Sequence, residues 1–109
     1  MEASFYHEKT SKTEGILKAS GSLCLSSSIK FSKELESLIE SGCSDIILNL
    51  DDADYISSSC IKAMEKALDA VYEKDGSLTI ESKADQIRKI LEIAGYDELL
   101  SDFEPQTEE

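Results

Sequence analysis

Residues 45–72 constrain the chain more than any other stretch. A short apolar run, a segment of acids and serines, and a run of helical period follow one another without a break. Ile46-Ile47-Leu48-Asn49-Leu50 has the length of a strand and is nearly continuous in apolar residues, the pattern of a strand covered on both faces. Asp51-Asp52-Ala53-Asp54-Tyr55-Ile56 reads as a strand-end loop. Ser57-Ser58-Ser59-Cys60 then leads into Ile61, Met64, Leu68, Val71 and Tyr72 at helical spacing. The serines thus stand where a strand hands over to a helix N-terminus. The first amides of a helix have no intrahelical partners, and its dipole favours negative charge. A serine there either caps the helix or carries a phosphate that those amides help to hold.

The flanking sequence extends the same alternation. Ser4-Phe5-Tyr6-His7-Glu8 and Ile16-Leu17-Lys18-Ala19-Ser20 read as a strand hairpin across the polar turn Thr10–Gly15, with Gly21 allowing a bend or a close backbone approach. Ser26-Ser27-Ser28 precedes a helix whose apolar face is Phe31, Leu35, Leu38 and Ile39; one of these serines is expected to cap it, and Gly42 to end it. Asp75-Gly76 marks a turn, and Ser77-Leu78-Thr79-Ile80 a further strand. Ser82 and Asp85 have the spacing of a capping-box variant before Ile87, Ile90, Leu91 and Ala94, the apolar face of a third helix closed by Gly95. Tyr96, Leu99, Leu100 and Phe103 are expected to fold back on the body. The order of elements predicts an α/β fold: one domain over residues 1–104 with a small mixed sheet and helices mainly on one face, followed by a flexible acidic tail over residues 105–109.

Charge narrows the function classes. Among 109 residues, 11 Lys and Arg stand against 23 Asp and Glu, a net charge of −12. That balance argues against a nucleic-acid binder and against adsorption to anionic membranes, both of which call for a basic face. It would suit a partner with a basic face, although acidity also serves solubility alone. No apolar run approaches the length of a membrane span, and Met1-Glu2-Ala3-Ser4-Phe5 has no signal-peptide character. Cys24, Cys43 and Cys60 are widely spaced and odd in number, matching neither a metal pattern nor a disulfide framework. Reduced thiols in a cytoplasmic protein are the natural expectation.

The chemistry that the residues permit is limited. His7 is the lone histidine, and no Gly-x-Ser-x-Gly elbow surrounds the serines, which speaks against a Ser/His/Asp hydrolase. Asp51, Asp52 and Asp54 form the densest acidic cluster but lack the Gly and distant Glu of a calcium loop; a solvated loop is the expectation. No glycine-rich phosphate loop is present. Cys60, with acids nearby and no cation in its stretch, reads as a buried structural cysteine. Neither cofactor nor metal is expected.

With these features in place, the chain from about Phe5 to Phe103 resembles the STAS domain family, which includes the anti-sigma factor antagonists. The resemblance rests on the strand Ile46–Leu50, the acidic loop, the serines and the helix after them. Ile16–Gly21 and the closing Ala94-Gly95-Tyr96-Asp97-Glu98-Leu99-Leu100 add to it. The antagonists carry Asp-Ser-Ser/Thr-Gly at the start of the second helix. Here Ser57-Ser58-Ser59-Cys60 stands in its place, with Ser57 for the Asp and Cys60 for the Gly. The first departure removes a charge beside the acceptor; the second adds a side chain where a partner would approach.

The resemblance implies a protein-binding switch rather than an enzyme. Its partner would be an anti-sigma factor that is itself a serine protein kinase of the histidine-kinase-like ATPase fold. Ser58 would be the phosphorylated residue, with Ser57 and Ser59 as substitutes, and Asp54, Tyr55, Ser57, Ser58, Ser59 and Cys60 would form the partner surface. Phosphorylation would break the complex by adding charge and bulk at the contact. The alternative is a STAS scaffold that binds without phosphorylation, in a sensory complex or beside a lipid-transport ATPase; there Ser58→Ala would cost only a cap. An apolar edge or face left uncovered by the one-sided helix layer would support a homodimer.

Overall fold

The structure, a computed structural model, describes residues 2–103; the tail expected over 105–109 lies outside the described residues. The chain runs β1 (Ser4–Lys9), β2 (Glu14–Leu23), α1 (Ser28–Glu40), β3 (Asp45–Asn49), β4 (Ala53–Ile56), α2 (Ser58–Glu73), β5 (Ser77–Glu81) and α3 (Asp85–Ala94). β1 and β2 form the expected antiparallel hairpin, Ser4 opposite Ser20 and Lys9 opposite Gly15. β3 pairs parallel with β2, and β5 parallel with β3, so the sheet is ordered β1-β2-β3-β5.

Alternation explains why the sheet has one buried face. Leu17, Leu48 and Ile80 lie side by side across β2, β3 and β5, and all three are fully buried beneath the helices. Ile16, Ile47 and Thr79 form the neighbouring row on the opposite face and are only half-buried. The near-continuous apolar run in β3 therefore does not mark cover on both faces. All helices return on one side, leaving Ile47 to pack sideways against its strand neighbours rather than beneath a second layer. α1 lies against β1, β2 and α2, α2 also against β5, and α3 against β4. Phe31 of α1 stacks on Phe5 of β1 with ring centroids 6.1 Å apart.

β4 is an element that the sequence pattern did not announce. It lies within the acidic segment expected to be a loop, and pairs parallel with the far end of β2: Tyr55 opposite Ser22 and Ile56 opposite Leu23. β2 is long enough to serve two neighbours because it is irregular between Gly21 and Ser22. Gly21 has φ +82°, its N–H donates to the Asp52 carbonyl at 3.0 Å, and a Cβ there would lie 2.4 Å from the Glu2 carbonyl oxygen. Both parts of the expectation for Gly21 hold, a bend and a close approach.

Two expected caps are absent. Leu25–Ser27 forms a 3-10 turn ahead of α1, Ser27 makes no cap hydrogen bond, and the Ser28 hydroxyl donates back to the Leu25 carbonyl at 2.7 Å. α3 begins only at Asp85, with Ala84 at its cap position, so Ser82 lies too early to bond the first turn. Its buried hydroxyl has no hydrogen-bond partner. The C-terminal expectations fare better. Gly95 ends α3 at φ +86° and Tyr96 N–H donates to the Leu91 carbonyl at 2.8 Å. Leu99 and Leu100 then fold back and are buried, Tyr96 is half-buried, and Phe103, expected to fold back with them, stays exposed; Ser101 N–H reaches the Ile80 carbonyl at 2.8 Å.

Candidate functional site at the start of the second helix

The start of α2 is fixed from both sides. Ser57 takes extended backbone angles (φ −82°, ψ 163°), and its N–H donates to the Leu23 carbonyl at 2.8 Å, continuing the β2–β4 pairing. Its hydroxyl oxygen accepts from Cys60 N–H at 3.3 Å, which makes Ser57 the N-cap. Ile56, Cys60, Ile61 and Met64 face the core and hold the first turn down.

The serine run therefore divides its tasks. Ser57 is only 8% exposed and does the capping. Ser58 opens the helix and is exposed, so Ser58→Ala loses no cap, contrary to the expectation drawn from sequence. Ser59 is half-buried and turns towards α1, lining a groove with Ser28, Ser32, Lys33, Lys62 and Lys66. We expect Ser57→Ala to destabilise the fold by about 1 kcal/mol through loss of the cap, and Ser58→Ala by much less, measurable by urea denaturation of the two variants.

Cys60 lies inward. It is fully buried, and its thiol hydrogen bonds to the Cys24 carbonyl at 3.7 Å. Burial pushes its pKa up, against the opposing hydrogen bond from Ser57. The Cys60 side chain, expected from the resemblance to stand where a partner approaches, is instead turned into the core. Ser57 and Cys60 shape the site from within, whereas Asp54, Tyr55 and Ser58 are exposed.

The acidic cluster is dispersed by its partners. Asp51 accepts from the Asn49 amide at 3.4 Å, Asp52 pairs with Lys18 Nζ at 3.2 Å, and Asp54 accepts from the Ser22 hydroxyl at 2.8 Å. The Asp54 carbonyl is bonded by the Gln86 amide of α3. Among the described residues no group of acids, histidines and cysteines is arranged to hold a metal ion. His7 is engaged elsewhere: its Nδ1 lies 2.7 Å from Glu34 Oε2 of α1.

An apolar surface that sequence reasoning missed adjoins Ser58. Tyr55, Ile56, Ser58, Ile61, Ile90, Ile93 and Ala94 enclose a shallow hollow of about 410 Å³ between the start of α2 and α3. Tyr55 is 47% exposed and Ile93 79%. The expected apolar face of α3 splits here: Ile87 and Leu91 enter the core, and Ile90 is only half-buried. Ile93, off that face in the helical pattern, was the signal available.

No helix among the described residues is long and apolar enough to cross a membrane. No curated protein matches the chain by sequence. Solved structures match its fold closely. The unphosphorylated form of the anti-sigma factor antagonist SpoIIAA superposes with a TM-score of 0.83 at 15% identity, covering 93% of this chain and 89% of that one. The phosphorylated form of SpoIIAA, a Bacillus cell fate determinant, gives 0.74 at 14% identity over 93% and 92%. A putative anti-sigma factor antagonist from Thermotoga maritima gives 0.78 at 18% identity over 88% and 82%. The model of the STAS domain matches residues 7–109, nearly the whole chain, and on that match the chain belongs to the STAS domain family.

Proposed function

We propose that this protein is an anti-sigma factor antagonist-like switch. Unphosphorylated, it binds an anti-sigma factor that is also a serine kinase of the histidine-kinase-like ATPase fold; phosphorylation of Ser58 releases it. The observation that carries this reading is the exposed Ser58 hydroxyl, free of capping duty, beside the apolar hollow of Tyr55, Ile90 and Ile93. A partner covering that hollow would also cover Ser58, and a phosphate there would set nearly two negative charges against a dry contact. On this reading the protein acts in the cytoplasm, through protein contacts rather than catalysis.

A constitutive scaffold is the second reading, and one observation favours it. The residue before the acceptor is a buried serine cap rather than an aspartate, so no carboxylate from that position marks Ser58 for a kinase. Phosphopeptide mass spectrometry of the protein from its native cell separates the two. Phosphate on Ser58 is the expected result. Its absence across growth conditions, with the partner still bound, favours the scaffold.

A further inference from the structure

Three cysteines are present, and the fold brings two of them to one place. The β2–β4 pairing sets Leu23 opposite Ile56 and ties Ser57 N–H to the Leu23 carbonyl, so the residue after β2 meets the first turn of α2. Those positions hold Cys24 and Cys60, 36 residues apart in sequence, and Cys60 Sγ lies 3.7 Å from the carbonyl oxygen of Cys24 itself. Cys24 is partly exposed, in a hollow lined by Glu2, Phe5, Ser22, Ser26, Ser27 and Lys30. Its sulfur has the Ser26 hydroxyl at 3.1 Å and the Ser27 hydroxyl at 3.7 Å. Cys43 stands apart: it is buried at the foot of α1, against Leu38 and Gly15.

We propose that Cys24 and Cys60 are a peroxide-responsive thiol pair, with Cys24 as the attacking thiol and Cys60 as the resolving one. Cys24, partly exposed and with its sulfur flanked by two hydroxyls able to donate to a thiolate, is the member of the pair open to a hydroperoxide, since Cys60 is fully buried. Those hydrogen bonds lower the Cys24 pKa from 9.0 to about 7, whereas burial raises that of Cys60, so the two thiols differ in the sense that this division of labour needs. The Cys24 thiolate attacks one peroxide oxygen. An S–O bond forms, the O–O bond breaks, and the leaving hydroxide (or alkoxide) takes up a proton. The Cys60 thiol then loses its proton, its sulfur attacks the Cys24 sulfur, and the S–O bond breaks with departure of water. Two thiols and one hydroperoxide give one disulfide, one water and one water or alcohol. Closure of the disulfide requires the Cys24 sulfur to turn from the serines towards Cys60, whose own sulfur already lies against the Cys24 backbone. The bond would clamp the turn that carries Ser58 to the end of β2, a control of that surface independent of phosphate.

The test is hydrogen peroxide treatment of the full chain, followed by thiol alkylation and non-reducing peptide mass mapping. The expected result is a whole-protein mass lower by two hydrogen atoms, a Cys24–Cys60 linked peptide, and alkylation at Cys43 alone on denaturation. Cys24→Ser should abolish the link, and Cys60→Ala should leave a sulfenic acid on Cys24, trapped by dimedone. Full alkylation of both Cys24 and Cys60 after peroxide, or oxidation of Cys24 to sulfinic acid in the native sequence without any linked peptide, overturns the proposal. The native protein alone decides this, so an unstable Cys60 variant does not affect the outcome. Phosphorylation of Ser58 is read by a separate mass shift on a separate residue, so either idea can fail alone.

Discussion

Ser58→Asp is expected to weaken partner binding by about 100-fold, or about 2.7 kcal/mol, whereas Ser58→Ala leaves it within a few-fold. The difference follows from the surroundings of this residue. Its hydroxyl is exposed, and the cap is supplied by Ser57, so truncation to alanine removes no bond that the helix needs. A carboxylate at the same place is tolerated in the free protein, since a first-turn acid suits the helix dipole. It becomes costly only when a partner covers the hollow of Tyr55, Ile90 and Ile93 and strips its water. Calorimetric titration of the three proteins against the captured partner measures the effect, with circular dichroism confirming equal folding. Equal affinity of Ser58→Asp and the native protein would remove Ser58 from the contact. Loss of binding in Ser58→Ala would show that the hydroxyl itself is a contact.

The largest stability effect is expected from Gly76→Ala, about 3 kcal/mol, or a melting temperature lower by about 10–20 °C. A Cβ at this position would lie 1.8 Å from the carbonyl oxygen of Ser44 and 2.6 Å from its carbonyl carbon. Both are backbone atoms, and neither can step aside. The Ser44 carbonyl accepts from Ser77 N–H at 2.9 Å, next to the pair Asp45–Ser77 where β5 joins β3. Relief of the clash must therefore open the first rung of that pairing or distort the turn in which Gly76 N–H reaches the Val71 carbonyl at 2.7 Å. Gly95→Ala is the matched control. Nothing lies within 4 Å of a Cβ there, so only its left-handed backbone (φ +86°) opposes the substitution, at about 1–2 kcal/mol. Thermal melts of both variants should rank Gly76→Ala as the more damaging; the reverse order would mean that the Ser44 contact is soft.

Features that arise within a few residues are legible in this sequence, and those that join distant segments are not. The three helices, the hairpin, the strand Asp45–Asn49 and the glycine that ends α3 were legible because each is written in a local period or a local turn residue. The position of the candidate site was legible for the same reason, since four adjacent residues mark a strand-to-helix junction. The capping box at Ser82 shows the limit of such reading: its spacing is right, but α3 starts later, and the hydroxyl is left buried and unpaired.

β4 could not be read locally. Asp54 and Tyr55, both exposed, sit between buried Ala53 and Ile56, which breaks the alternation expected of a half-buried strand. It is a strand because Gly21 bends β2 and leaves the edge of Ser22 and Leu23 in need of a partner. That pairing then decides the rest of the site. It fixes Ser57 against Leu23, making Ser57 the cap and freeing Ser58. It sets Asp54 on Ser22, leaving Asp51 and Asp52 to Asn49 and Lys18, so the cluster does not act as one. It brings Cys60 against Cys24. The sequence by itself determined which elements form, because hydrophobic period and turn chemistry act over a few neighbouring residues. Only the tertiary structure decided which serine caps, which is exposed and what lies beside it, because those answers depend on hydrogen bonds between residues more than thirty positions apart.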